Sequence, residues 1–126
     1  MNAAINELAG RRVLLVEDEA LVSLLLQDSL EEFGCQLVGE ASRFDDALEK
    51  ARSMSFDVAI LDVNLDGRQT IPIAETLAAR GSPFVFATGY ATPQLPESVK
   101  AAPVLQKPFL QKDLERALLA ALRQRC

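Results

Sequence analysis

The stretch VAILDVNLDG, residues 58–67, joins an apolar run to two acidic residues and a glycine. Its first four residues are all apolar, and Asp62 follows them directly. A strand with apolar side chains on both faces is typical of a parallel sheet that helices cover on both sides. We therefore predict a buried central strand over 57–62, with Asp62 at its carboxyl end.

Similar short apolar runs recur along the chain and alternate with helical periods. Strands are predicted at 12–17, 36–41, 57–62, 83–88 and 103–106, and helices at 20–33, 43–53, 72–80 and 110–124. Strand–helix alternation with right-handed crossovers favours an α/β fold with a five-stranded parallel sheet. The leading candidate is the flavodoxin-like order 2-1-3-4-5 with helices on both faces.

Apolar residues at helical spacing indicate which helix faces are buried. In the first helix they are Leu21, Leu24, Leu25, Leu26, Leu30 and Phe33, and in the last Leu110, Leu114, Ala117, Leu118, Ala121 and Leu122. Between the fourth and fifth strands, Pro93 and Pro96 oppose a regular helix. We therefore expect the fourth helix to be short or mobile.

Composition limits the class of protein. A chain of 126 residues fits a single domain over 1–126, with its core at about 11–123. The net charge of −5 argues against nucleic-acid binding, and neither a signal peptide nor a membrane-spanning run is visible. Two cysteines without a disulfide pattern favour a cytoplasmic setting. Because the chain has no histidine, its chemistry must use carboxylates, hydroxyls and lysine.

Polar residues follow the predicted strands at their carboxyl ends, where ligands bind in open α/β sheets. They are Glu17, Asp18, Asp62, Thr88 and Lys107. Taken singly, each has an ordinary explanation, such as a turn former, an acidic helix start or a surface lysine. Together, three carboxylates at one edge need a cation, and oxygen ligands suit Mg²⁺. A lysine and a hydroxyl suit phosphate oxygens, so the set favours phosphoryl transfer to a carboxylate.

In order, spacing and strand context these residues, with Pro108 after Lys107, resemble the signature of response-regulator receiver domains over about Arg11 to Arg123. The resemblance implies that Asp62 is the phosphoacceptor. It further implies that Thr88 and Lys107 contact the phosphoryl oxygens, and that the Lys107–Pro108 peptide is cis.

For the metal, the same resemblance implies Mg²⁺ as the cofactor. Asp18 and Asp62 would bind it directly and Glu17 through water, with the Asn64 backbone carbonyl as a further ligand. The loop after Asp62 reads VNLDGRQT in place of the commoner Met-Pro-x-x-Asp-Gly form, which leaves these ligands intact.

The stretch PFVFATGY, residues 83–90, is similar to an atypical receiver branch with a Pro-Phe-x-Phe-Ala-Thr-Gly-Tyr motif. That branch includes stand-alone receivers and the receiver parts of general-stress regulators, often served by histidine kinases of the HWE or a related type. The usual switch aromatic is replaced by Val104. Gly89 and Tyr90, next to Thr88, are therefore the switch candidates.

These features predict a single-domain response regulator that takes phosphate from a histidine kinase or a phosphotransfer protein. Its output would be a protein contact, or Asp62 would act as a phosphate sink, and its catalysis would be limited to its own phosphorylation and dephosphorylation. One alternative is a small Mg²⁺-dependent phosphatase with an aspartyl-phosphate intermediate, although Asn64 stands where such enzymes need a second acid. Another is a pseudo-receiver that binds without phosphorylation.

Overall fold

The structure, a computed structural model, describes residues 7–89 and 95–124. Its strands are β1 (Arg12–Val16), β2 (Gln36–Ala41), β3 (Val58–Asp62), β4 (Asn64–Leu65), β5 (Arg68–Gln69), β6 (Phe84–Thr88) and β7 (Val104–Gln106). Its helices are α1 (Ala20–Glu32), α2 (Phe44–Ser53), α3 (Ile71–Ala79) and α4 (Gln111–Arg123).

Five parallel strands form the main sheet in the order β2-β1-β3-β6-β7. This is the predicted order 2-1-3-4-5, so the flavodoxin-like architecture is confirmed. An antiparallel hairpin of β4 and β5 follows β3 and was not predicted. Within the described ranges, no helix is both long enough and apolar enough to cross a membrane.

The core lies in two layers because successive strand residues point to opposite faces of the sheet. On one face, Leu15 and Ile60 pack with residues of α1 and α4, including Leu26 and Leu118. The opposite face carries a second cluster, built from Leu14, Leu61, Phe86, Ala47 and Leu77, where α2 and α3 cover the sheet. All five residues of β3 are buried, which explains the uninterrupted apolar run before Asp62.

Two predicted helix faces need correction. Leu21, Leu24 and Leu25 are 70%, 57% and 56% exposed, because only the face of α1 that carries Leu26 and Leu30 meets the sheet. Leu110 precedes α4 and is also exposed. Leu8, which precedes the expected core of about 11–123, is fully buried.

Of the described residues between β6 and β7, 97–101 form turns. Val99 is buried and Leu95 packs against the core, so this segment is attached to the sheet at two points. The turns agree with the expectation of a short element. Pro93 lies outside the described residues.

Candidate functional site

An open pocket of about 350 Å³ lies at the carboxyl edge of the main sheet. Its lining residues are Asp18, Glu19, Asp62, Asn64, Gly67, Thr88, Gly89 and Lys107. Four elements supply most of the polar groups: the loop after β1 and the carboxyl ends of β3, β6 and β7. Of the predicted strand-end residues, Asp18, Asp62, Thr88 and Lys107 line the pocket. Glu17 is not in the lining but contacts Lys107.

Strand register explains why these side chains meet. Asp62 is paired with Ala87, one residue before Thr88, and Thr88 is paired with Gln106, one residue before Lys107. The Lys107 amide donates a hydrogen bond of 2.7 Å to the Thr88 carbonyl. The Lys107–Pro108 peptide is cis, as the resemblance implied.

Lys107 is the cation at the centre of the pocket. Its Nζ lies 2.9 Å from Glu17 Oε1, 3.3 Å from Asp62 Oδ2 and 3.6 Å from Glu19 Oε1. The Glu17 contact is an ion pair, and Lys107 also donates a hydrogen bond to Asp62 Oδ2. Since Glu17 and Asp62 are both buried, removal of this ammonium would leave two carboxylates without their shared counter-charge.

Burial and the neighbouring Glu17 charge raise the pKa of Asp62 to about 7, although Lys107 opposes the shift. Burial acts to lower the pKa of Lys107, but contact with Glu17 and the charge of Asp62 outweigh it and the pKa is raised. Lys107 therefore stays charged near neutral pH. Asp62 is partly protonated in that range, and any added positive charge would favour its ionised form.

This pKa leads to a prediction about stability. Because the folded protein raises the Asp62 pKa from 3.8 to about 7, it binds the proton more tightly than the unfolded chain does. The contribution of Asp62 to the free energy of unfolding should therefore fall as pH rises between these values and level off above them. We expect Asp62→Asn to stabilise the metal-free protein by about 2–4 kcal/mol at pH 8 and by less at pH 5. Urea unfolding in EDTA measures this change in stability. An equal effect at both pH values would contradict the raised pKa of Asp62.

The acidic residues of the pocket fit a hard divalent cation. Glu17, Asp18, Glu19 and Asp62 each offer a carboxylate oxygen, and these oxygens lie within 4.8 Å of one another. All-oxygen donors of this kind suit Mg²⁺. Glu19 was not predicted, although it is the third acid in the run 17–19. The role of the Asn64 carbonyl stays a prediction; the Asn64 amide donates to Asp62 Oδ1 at 3.3 Å.

Thr70 is a further residue that the sequence analysis missed. It is fully buried, and its hydroxyl lies 2.5 Å from the Asp62 carbonyl oxygen and 3.1 Å from that of Val63. Its own amide also donates to the Val63 carbonyl. These hydrogen bonds from Thr70 therefore restrain the backbone that carries the Asp62 side chain.

Of the two predicted switch residues, Gly89 lies within the described part of the chain. Gly89 is exposed at the pocket, with open space where a Cβ would stand. Tyr90 lies outside the described residues. Val104, at the position of the usual switch aromatic, begins β7 and is 41% exposed. The role of Gly89 and Tyr90 therefore stays a prediction.

Comparison with known proteins identifies the family. Residues 13–121 match the response regulator receiver domain, and the chain belongs to this family. Proteins of this class act in two-component signalling, and phosphorylation and Mg²⁺ binding are typical of them.

Two curated relatives are regulatory proteins. The chain is 37% identical over 116 residues to the transcriptional regulatory protein PdtaR of Mycobacterium tuberculosis, covering 89% of this chain and 57% of PdtaR. It is 30% identical over 111 residues to the sensory transduction protein LytR of Staphylococcus haemolyticus, covering 85% of this chain and 43% of LytR. The chain thus spans about half the length of these relatives.

Solved structures agree with the fold. SdrG from Sphingomonas melonis Fr1 has a TM-score of 0.79 and 42% identity, covering 90% of this chain and 97% of SdrG. The BeF3-activated conformation of SdrG, from Pseudomonas melonis Fr1, has a TM-score of 0.74 and 43% identity, covering 90% and 98%. The response regulator PhyR from Brucella abortus shares the fold at 23% identity with a TM-score of 0.78, covering 97% of this chain and 51% of PhyR.

Proposed function

We propose that this receiver domain accepts a phosphoryl group on Asp62 from a histidine kinase of the HWE or a related type, or from a phosphotransfer protein. The observation that carries the proposal is the meeting of Asp62, Lys107 and the acidic cluster in one pocket at the carboxyl edge of the sheet. A buried carboxylate next to a lysine and a cation site is suited to an in-line attack on phosphorus.

In the proposed transfer, a carboxylate oxygen of Asp62 attacks the phosphorus of a phosphohistidine, the P–N bond breaks and the imidazole leaves. Lys107, now 3.3 Å from Asp62 Oδ2, is close enough to pair with a phosphoryl oxygen, and the Thr88 hydroxyl would donate to another. When bound, Mg²⁺ supplies positive charge that offsets the carboxylates and the phosphoryl group.

We further propose that Asp18 and Asp62 hold the metal directly, with Glu17 acting through water and the Asn64 carbonyl as a further ligand. The close spacing of the acidic oxygens supports this assignment. Output would follow through contact with another protein, with Gly89 and Tyr90 carrying the change from Thr88, or Asp62 would serve as a phosphate sink.

Acetyl phosphate with Mg²⁺ provides a test that needs no partner. We expect intact-mass spectrometry to show one added phosphoryl group, which hydroxylamine removes as it does from an acyl phosphate. Release of p-nitrophenol from p-nitrophenyl phosphate over many turnovers would instead favour the phosphatase alternative. Absence of label from both acetyl phosphate and a kinase panel would favour the pseudo-receiver.

Lys107→Ala should slow phosphorylation about tenfold or more, because the ammonium lies 3.3 Å from Asp62 Oδ2 and would pair with an oxygen of the incoming phosphoryl group. Mg²⁺ affinity should not fall, since a cation is not a metal ligand and its removal leaves Glu17 and Asp62 without a competing counter-charge. The matched control is Lys100→Ala, which removes an exposed lysine paired only with Glu97 among the described ion pairs. Labelling rates with acetyl phosphate and Mg²⁺ titrations measure the two effects, and a normal labelling rate would remove Lys107 from the reaction.

An apolar groove of about 610 Å³ adjoins the pocket, and we propose it as the contact surface for the phosphodonor. Gly89 and Lys107 line both, while Val22, Leu25 and Phe109 give the groove its apolar walls. Exposed apolar patches of this kind mark contact surfaces for other proteins. Because a donor must bring its phosphohistidine to Asp62, a surface bordering the pocket is well placed to bind it.

Leu25→Gln tests this docking surface. We expect phosphotransfer from a cognate kinase to slow about tenfold, as a contact residue at the interface is lost, while labelling by acetyl phosphate stays unchanged. Val104→Thr is the control, because Val104 is exposed but does not line the groove. Equal kinase rates for both variants would place the donor elsewhere.

A further inference from the structure

The loop that departs from the commoner receiver sequence forms a tight β-hairpin. In it, Asn64 pairs with Gln69 and Leu65 with Arg68. Asp66 and Gly67 make the two-residue turn, with φ of 51° and 81°. Positive φ at both central residues is the requirement of a type I′ hairpin turn, and Asp-Gly is a preferred pair for it.

Three contacts hold this hairpin against the rest of the domain. Leu65 is fully buried in the core layer beneath α2 and α3. On the outer side, the Arg68 guanidinium lies 3.7 Å from the centre of the Phe44 ring and 3.7 Å from Asp45 Oδ1. A cation over an aromatic face is attractive even when exposed. At the base, Thr70 ties the chain to the carbonyl groups of Asp62 and Val63.

The turn of the hairpin reaches the acidic cluster. The Asp66 backbone amide donates a hydrogen bond of 2.8 Å to Asp18 Oδ2. Asp18 is exposed and stands on the loop after β1, whereas Glu17 and Asp62 are buried. A charge-assisted hydrogen bond to one oxygen restrains a carboxylate and leaves its second oxygen available for another partner.

We infer that the 64–69 hairpin is a positioning element of the metal site, which aims the Asp18 carboxylate through the Asp66 amide. Arg68 secures the hairpin by stacking on Phe44 and so acts on Asp18 indirectly. This inference rests on the proposed function, because it presupposes that the acidic cluster binds Mg²⁺. It adds that Mg²⁺ affinity depends on the conformation of a turn whose own side chains need not touch the ion.

Two glycines of the chain provide a matched pair for the test. Gly67 and Gly81 have φ of 81° and 71°, and at both positions a Cβ would meet no atom within 4 Å. An alanine at either position therefore strains the backbone without a clash. Gly81 follows α3 at the opposite edge of the sheet, so Gly81→Ala reports the cost of strain alone. Asp66→Asn is the second control, since it keeps the amide and tolerates positive φ.

The experiment is a calorimetric titration of each purified variant with Mg²⁺ alone, together with its thermal unfolding. We expect Gly67→Ala to bind Mg²⁺ about tenfold more weakly than wild type, and Gly81→Ala and Asp66→Asn within about twofold of it. The melting temperatures of both glycine variants should fall by similar amounts. Wild-type affinity in a folded Gly67→Ala, or an equal loss in Gly81→Ala, would overturn the inference.

Arg68→Ala covers the case in which Gly67→Ala does not fold, because it leaves the backbone chemistry unchanged. We expect it to weaken Mg²⁺ binding about threefold, and Arg52→Ala, which removes an exposed arginine paired with Glu49, to leave it unchanged. Wild-type affinity in Arg68→Ala would overturn the indirect role of Arg68. Absence of Mg²⁺ binding by the wild type would overturn the proposed metal site and the inference with it. Normal binding by the wild type and by the hairpin variants would overturn the inference alone.

Discussion

Asp62→Asn is expected to abolish phosphorylation, with labelling reduced about a hundredfold or more. Asp62 is the carboxylate that ends the central buried strand and faces Lys107 across the pocket. An amide in its place keeps the shape of the side chain but lacks the nucleophilic oxygen. Intact-mass spectrometry after incubation with a kinase or with acetyl phosphate measures the loss directly.

Asp66→Asn is the control for that experiment. Asp66 is an exposed aspartate four residues further along the same loop, and its side chain is not among the residues that line the pocket. Its replacement should leave labelling intact. Hydroxylamine-sensitive label that persists in Asp62→Asn would show that another carboxylate accepts the phosphoryl group, and the assignment of Asp62 would then be wrong.

Asp18→Asn is expected to weaken Mg²⁺ binding by at least about tenfold, because the charge of the ligands governs the affinity of a hard cation. Asp18 is one of four acids whose oxygens lie within 4.8 Å of one another. Phosphorylation by acetyl phosphate should decline in parallel and recover in part at high Mg²⁺. Titration calorimetry supplies the affinities.

For this second prediction the comparison is again Asp66→Asn, which removes one negative charge from the same edge of the sheet. If both variants lose affinity equally, the effect of Asp18 is one of general charge and not of ligation. A selective loss in Asp18→Asn would support direct binding of the ion.

The sheet could be predicted from the sequence because buried parallel strands leave a clear pattern. The first four residues of β3 are apolar on both faces, and a polar residue stands at or directly after the end of each of the five strands. The buried face of α1 was harder to predict. Its apolar residues outnumber the positions that the sheet covers, and no local signal separates Leu25, which is exposed, from Leu26, which is buried.

The site could be predicted as far as it is set by strand ends. The proximity of Asp62, Thr88 and Lys107 follows from parallel register alone. Thr70 escaped prediction because its contacts depend on how the chain returns after the hairpin. The Asp66-Gly67 pair did carry a hairpin signal, but strands of two residues are too short to show alternation.

The position of Asp62 at the end of β3 has a consequence for hydrogen exchange. Both faces of β3 are covered and both of its edges are paired, so its amides should exchange with solvent only when the whole domain unfolds. An ion or phosphoryl mimic bound at Asp62 stabilises only the folded state and makes that global opening rarer. Binding at one end of β3 should therefore slow the exchange of every amide in the sheet that exchanges only by global unfolding. This includes amides of strands that never approach the ligand.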